Sequence, residues 1–207
     1  MQLTLHTGRG VTIRTAAADD RTRLLEHYIR LSRDPEAVFF PLPQDPSAVE
    51  RWLERSGYFD FGRNIHTLAI DGDGAVVADL FVRRTEMPSI GLSGIGQVYL
   101  AIARGYRDIG LGGQLLKLLR TYLRPALVDA GIRRLTGHVF PENHASLAIV
   151  FKAGFALEGV LRQHMRGADG RYHDMVVIGM MLVDAPCSGC ALHADTVRAR
   201  WAVAQGK

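Results

Sequence analysis

Apolar and polar positions alternate along Val11-Thr12-Ile13-Arg14 with the two-residue period of a half-buried strand. The period then lengthens. Leu24, Leu25, Tyr28, Ile29 and Leu31 recur at helical spacing, with Asp19 or Asp20 as the expected cap. Ser32-Arg33-Asp34-Pro35 ends that helix, and Phe39-Phe40-Pro41-Leu42-Pro43 reads as an apolar loop. Ser47 is the expected cap of a second helix, with Glu50 completing a capping box and Val49, Trp52 and Leu53 on the apolar side. His66 to Ile70 and Ala75 to Val82 predict two strands joined by the turn signal Asp71-Gly72-Asp73-Gly74. Arg83 to Ser93 reads as a polar connection.

Gln97 to Ala103 predicts a buried strand, and Leu111, Leu115, Leu119, Leu123 and Leu127 predict a long helix that Gly131 closes. Pro125 inside it removes one backbone bond and predicts a kink or early break. Arg134 to Val139 is the next strand. Asn143 then caps a short helix, Ala145 to Ala153, which Gly154 closes. Leu157 to Leu161 and Met175 to Leu182 predict a hairpin through Gly167-Ala168-Asp169-Gly170. The order β-α-α-β-β-β-α-β-α-β-β predicts an α/β fold on a sheet of mixed direction.

The 207 residues suffice for one well-cored domain, expected over 1–183, followed by a tail over 184–207 with a helical pattern at Asp195 to Val203. A net charge of +4 is too mild and too mixed in sign to indicate a nucleic-acid binder, and no aromatic–basic platform supports one. The start lacks a secretory pattern, and no apolar run approaches the length of a membrane span. Two cysteines, Cys187 and Cys190, build no disulfide framework, so a cytoplasmic setting is the expectation. With His193 they lack further ligands at usable spacing, and no metal is expected.

Arg107-Asp108-Ile109-Gly110-Leu111-Gly112-Gly113 lies between the buried strand and the long helix. Glycines there admit close approach to backbone N–H groups at a helix N-terminus, which predicts an anion site. A nucleotide P-loop would need Lys and Ser or Thr after its last glycine, whereas Gln114 follows Gly113. A dinucleotide fingerprint would open a βαβ unit near the start of the sheet, whereas three strands come first.

Arg107-x-x-Gly110-x-Gly112 opening a helix, Asn143 heading the next, and Lys152-Ala153-Gly154-Phe155 closing it resemble the GNAT superfamily of N-acetyltransferases. The likeness spans roughly Val11 to Leu182 in element order. It implies a mostly antiparallel sheet with flanking helices and a splayed central strand. Acetyl-CoA is the implied co-substrate. Its pyrophosphate would lie on the amides of Asp108, Ile109, Gly110, Leu111, Gly112 and Gly113, with Arg107 preceding them. Its pantetheine arm would lie along Leu100, Ala101 and Ile102 and beside Asn143. A homodimer is common in the family. The implied reaction is direct attack of an amine acceptor, on a protein or a small molecule, within a ternary complex.

A lysine-like amine is almost wholly protonated at neutral pH, so a proton must leave before attack. A strand N–H near Ile102 is the expected oxyanion donor. Many family members carry Glu where this chain has Gln97, and a Tyr acid where it has Val150. A base position of ribosomal-protein alanine acetyltransferases falls on His138, whose imidazole suits neutral-pH proton transfer. His138 is the candidate base, with Glu86, Tyr99 and Glu142 behind it. The missing Glu and Tyr also leave open a catalytically degenerate acyl-CoA-binding regulatory module.

Overall fold

The computed structural model describes residues 1–35, 42–87, 92–167 and 170–183. Eight strands form one sheet: β1 Gln2–Thr4, β2 Gly10–Thr15, β3 Asn64–Ile70, β4 Val76–Met87, β5 Leu92–Ile102, β6 Arg134–Val139, β7 Ala156–Arg166 and β8 Tyr172–Met181. Their order is β1-β2-β3-β4-β5-β6-β8-β7, antiparallel throughout except β5 with β6. The helices are α1 Arg21–Ser32, α2 Pro46–Arg55, α3 Leu111–Leu118, α4 Arg124–Asp129 and α5 His144–Lys152. This is the mixed α/β class that the pattern predicts.

Two cores lie on opposite faces of the sheet. On one, Leu24, Tyr28 and Leu31 of α1 and Val49 and Leu53 of α2 pack against Leu68, Phe81 and Ala101. On the other, Leu111, Leu115 and Leu116 of α3, Leu127 of α4 and Val150 of α5 pack against Leu80, Val82, Leu135 and Ile178. Burying each such side chain contributes about 1.5–3 kcal/mol, and the period-2 strands supply both faces.

The local expectations fail where a side chain has a better partner. Asp20 does not cap α1. Its carboxylate is buried and accepts from Arg14 at 2.5 and 2.6 Å and from the Ala17 N–H at 3.0 Å. The Arg14 guanidinium holds its pKa down to about 2. Ser47 does not cap α2 either. Asp45 accepts from the Ala48 N–H at 2.8 Å, because Pro46 occupies the first helical turn where no N–H is needed. Glu50 instead pairs with Arg21 of α1. The stretch from Arg83 onward is not a connection. Arg84↔Gly96, Thr85↔Ile95 and Met87↔Leu92 extend the β4–β5 ladder, and long-range pairing overrides its polar composition. The short β1, paired with β2, escaped the pattern altogether.

Pro125 acts as expected. A π-helical turn, Leu119–Leu123, separates α3 from α4 and restarts the helix with Pro125 in its first turn. Gly131 has φ +81 and closes α4, with Ile132 N–H bonded to the Leu127 carbonyl at 2.9 Å, as a left-handed cap requires. The loop positions Phe39, Phe40 and Pro41, turn residues Ala168 and Asp169, and the tail with Cys187, Cys190, His193 and Asp195 to Val203 lie outside the described residues.

A polar cluster pins α1 to the sheet. Asp79, His66, Tyr28 and Tyr58 are all buried. His66 Nε2 lies 3.0 Å from the Tyr58 carbonyl, which can only accept, so that nitrogen carries the proton. Burial lowers His66 to about 4 and raises Asp79 well above the ordinary carboxylate value. His66 Nδ1 therefore accepts from a protonated Asp79, at 3.2 Å, while Tyr28 and Tyr58 donate to the same carboxyl. Every member is satisfied without a net charge.

At Gly96, β5 packs against neighbouring side chains with no room for a Cβ. A Cβ there would meet Leu135 Cδ2 at 2.8 Å, Val82 Cγ1 at 2.9 Å and Ile132 Cγ2 at 3.1 Å. Gly96→Ala is expected to destabilise the fold by about 1–3 kcal/mol in urea denaturation. A midpoint equal to that of the parent contradicts this packing.

Candidate active site

The parallel pairing of β5 with β6 is brief: Ile95↔Arg134, Gly96↔Leu135 and Gln97↔Thr136. Beyond Thr136, β6 pairs only with β8, through His138↔Val177 and Val139↔Val176. Beyond Gln97, β5 pairs only with β4, as far as Ala78↔Ile102. The two strands separate and leave a cleft with one unpaired backbone edge on β5.

Bond directions show which residues face that cleft. The Ala103 N–H donates to Val77 of the β4 side at 2.8 Å, whereas the Ile102 carbonyl points the other way and accepts from Arg107 Nε at 3.0 Å. Alternation along the strand turns the backbone groups of Val98, Leu100 and Ile102 toward the cleft. Those of Ala101 face β4, and its methyl is buried under α1. Of the three strand residues expected beside a pantetheine arm, Leu100 and Ile102 therefore offer backbone groups, while Ala101 supports them from behind.

The cleft runs into the N-terminus of α3. Asp108 and Gly110 both have positive φ, +58 and +87, which turns the loop tightly into the start of the helix. The first helical bond runs from Gln114 N–H to the Gly110 carbonyl, leaving the N–H groups of Leu111, Gly112 and Gly113 without intrahelical partners. Gly112 is a packing requirement: a Cβ would lie 3.0 Å from Ile149 and 3.1 Å from Ile102. Gly113 faces open space. Ile109 packs against the α3 core.

Arg107, just before these amides, is engaged within the protein. Besides the Ile102 carbonyl, its guanidinium reaches Asp34 at 2.6 Å, tying the end of β5 to the end of α1. The β1–β2 turn braces the loop from outside. Arg9 donates to the Gly105 carbonyl at 3.1 Å, and the His6 ring stands beside Gly110. Across the cleft, Asn143 Oδ1 accepts from the Ser146 N–H at 3.1 Å and caps α5, leaving its amide nitrogen for a ligand.

A line of polar side chains crosses the sheet at the base of the cleft, on the α1–α2 face. Arg83 Nη2 donates to Gln97 Oε1 and to the Tyr99 hydroxyl, each at 2.8 Å. A guanidinium only donates, so Gln97 must present its oxygen to Arg83 and its NH2 group to His138. That NH2 lies 3.3 Å from His138 Nδ1. Nδ1 is thereby an acceptor, and the neutral ring carries its proton on Nε2. Burial, with His164 second, lowers the His138 pKa below 6.5. The His164 ring centroid is 5.6 Å from that of His138. It is brought there by an irregularity in β7 at Gln163, which has φ 48 and whose N–H is held by Asp174 at 2.8 Å.

Sequence reasoning reached His138 and Gln97 but missed Arg83 and His164. Nothing local marks Arg83 within a polar run, and His164 depends on the β7 irregularity. Of the other base candidates, Tyr99 is raised above its usual pKa by burial and stays neutral. Glu142 is exposed, and the Glu86 side chain is outside the described ones. Val150 is buried among the α3 side chains, so it places no acid in the cleft. Among the described residues, no group of His, Cys, Asp and Glu is arranged to hold a metal.

A strand thus parts from its parallel neighbour beside a glycine-bearing helix N-terminus. The family model for the acetyltransferase (GNAT) domain matches residues 11–156, and the chain belongs to that family. No curated protein matches the chain. Several solved structures share its fold. The ribosomal-protein-S5-alanine acetyltransferase of Vibrio fischeri has a TM-score of 0.66 at 16% identity, over 85% of this chain and 96% of its own. A phosphinothricin acetyltransferase of Sinorhizobium meliloti, in complex with AcCoA, gives 0.65 at 21%, over 87% and 95%. The spermidine N-acetyltransferase of Vibrio cholerae, in complex with CoA and spermine, gives 0.62 at 16%, over 83% and 95%. Acceptors so different on one fold mean that the fold does not name this one.

An anion seated at the start of α3 predicts opposite responses from one substitution. Gly113→Asp puts a carboxylate in open space in the first helical turn, where it favours the helix by about 0.3–1 kcal/mol. Thermal stability of the free protein should hold or rise, while acetyl-CoA affinity by calorimetry should fall roughly tenfold or more through charge repulsion. Unchanged affinity contradicts the placement.

Proposed function

We propose that the protein transfers the acetyl group of acetyl-CoA to a primary amine by direct attack in a ternary complex. The observation that carries this reading is the parting of β5 from β6 after Gln97 and Thr136, directly above the Gln97–His138 contact. The pyrophosphate lies on the amides of Asp108 to Gly113, and the pantetheine arm follows Leu100 and Ile102 as an added strand would, with the Asn143 amide alongside. This puts the thioester at the base of the cleft, beside the polar line. The structural neighbours include a ribosomal-protein-S5-alanine acetyltransferase, a phosphinothricin acetyltransferase and a spermidine N-acetyltransferase, which supports an amine acceptor and leaves its size open.

His138 serves as the base. The incoming amine is cationic at neutral pH, and its proton passes to the ring lone pair at Nδ1 through a water as Gln97 releases that atom. The contact is at the long end of the hydrogen-bond range, so giving it up costs only about 0.5–1.5 kcal/mol. The deprotonated nitrogen attacks the thioester carbonyl, and a cleft-facing N–H of β5, near Ile102, stabilises the oxyanion. Collapse of the tetrahedral intermediate expels CoA thiolate, and the nitrogen, cationic after its attack, sheds its second proton to solvent or to that thiolate. With Val150 at the position where relatives carry an acid, the thiolate leaves as the anion or takes its proton from solvent.

The test is thiol release from acetyl-CoA across protein N-termini, lysine peptides, amino acids and polyamines. His138→Ala should lower kcat about a hundredfold or more, the usual worth of a positioned base, with acetyl-CoA affinity little changed. Because the His138 pKa is depressed, the neutral, active ring is present above it and is lost as pH falls through it. The parent's kcat/KM should therefore decline on a limb below pH 6.5, and that limb should vanish in His138→Ala. An unchanged kcat removes His138 from the mechanism. If acetyl-CoA binds but no amine yields thiol, the protein is an acyl-CoA-binding module and the transfer reading falls.

A further inference from the structure

Arg83 is a half-buried cation whose bonded partners are both neutral. Nη2 serves the Gln97 amide oxygen and the Tyr99 hydroxyl, and the guanidinium carbon lies 5.4 Å from the Tyr99 ring centre. Its opposite residue on β3 is Asn64, whose amide is engaged with the carbonyls of Gly57 and Tyr58. No carboxylate among the described residues pairs with Arg83, although ion pairs engage Arg14, Arg21, Arg107 and Arg134 elsewhere. Among the described residues Nε and Nη1 have no hydrogen-bond partner, and neither is a fully buried unsatisfied atom. An arginine held by one nitrogen, with its other donors open and its charge uncompensated, is prepared for an anion.

Its place says whose anion. One amide, that of Gln97, separates Arg83 from His138, and both stand on the α1–α2 face at the base of the cleft. The cofactor's phosphates belong at the far end, beside α3. The other ionisable groups on the line add no negative charge: burial keeps Tyr99 in its phenol form. We infer that Arg83 is a specificity-determining residue, and that the acceptor is a small amine bearing a carboxylate a few bonds from the reacting nitrogen. Resting on the transfer reading above, this assigns the substrate class of the same site. A polyamine would instead bring more positive charge against an unpaired guanidinium.

The experiment compares α-amino acids with their carboxamides as acceptors, with spermidine as a third arm, in the parent, Arg83→Gln and Arg83→Lys. The comparison is the ratio of kcat/KM for carboxylate over carboxamide, divided between proteins, which cancels the amines' intrinsic reactivity. The parent's ratio should exceed that of Arg83→Gln roughly tenfold or more, with Arg83→Lys between them. Loss of the Gln97 contact alone slows both acceptors and leaves the ratio unmoved. Equal ratios in parent and Arg83→Gln, or spermidine as the best acceptor of the parent, overturn the assignment. If the parent releases thiol with no amine, the transfer reading fails separately, and calorimetry of the amino acid on the CoA complex decides the anion site. Binding that Arg83→Gln abolishes upholds it, and no binding to the parent overturns it. Should Arg83→Gln fail to fold by circular dichroism, a reduced ratio in Arg83→Lys upholds the assignment, and a ratio equal to the parent's overturns it.

Discussion

The separation of β5 from β6 is the constraint on which the rest of the structure depends. A parallel pair that ended inside the core would strand unpaired N–H and C=O groups, each costing more than its bond would have contributed. Here the stranded edge, Val98 to Ile102, opens on a cleft that continues to the N-terminus of α3. The same geometry therefore yields a row of backbone partners and a set of converging amides. Gly96 allows close packing on the paired side of the divide, and Gly112 lets α3 approach β5 on the open side. The buried Asp79–His66–Tyr28–Tyr58 cluster holds α1 against β3 and β4 without exposing a charge, keeping the opposite wall in place.

The electrostatics of the cleft divide along its length. At the α3 end the positive character is diffuse, coming from amide dipoles and from the loop braced by Arg9 and Arg107. At the base one guanidinium, Arg83, sets the orientation of Gln97, and Gln97 sets the tautomer of His138. A glutamate in place of Gln97 would itself titrate. The amide cannot, and in the proposed transfer proton handling falls to the ring beyond it, whose pKa burial lowers below the ordinary histidine value.

Much of this was legible in the chain, for identifiable reasons. The α3 signature depends on local conformation, positive φ at Gly110 and open amides at a helix start, and local conformation is what glycine spacing encodes. Asn143 was legible as a cap for the same reason. What escaped depends on contacts across the sheet. Asp20 is the exception: it left its capping role for a nearer partner, Arg14 six residues earlier on β2, which offers two charge-assisted bonds. The ladder beyond Arg83 was hidden because its polar residues pair with a strand that follows them in the chain. Arg83 and His164 gain their meaning only when β4, β5, β6 and β7 are set side by side.

Amide hydrogen exchange with and without saturating acetyl-CoA tests the central claim most directly, because it reads the unpaired edge itself. With the cofactor seated along β5, exchange should slow at Leu100 and Ile102 and at Leu111, Gly112 and Gly113, and stay unchanged in the outer strand β7. Saturated binding with no protection along β5, or with protection centred on another part of the sheet, would contradict that claim.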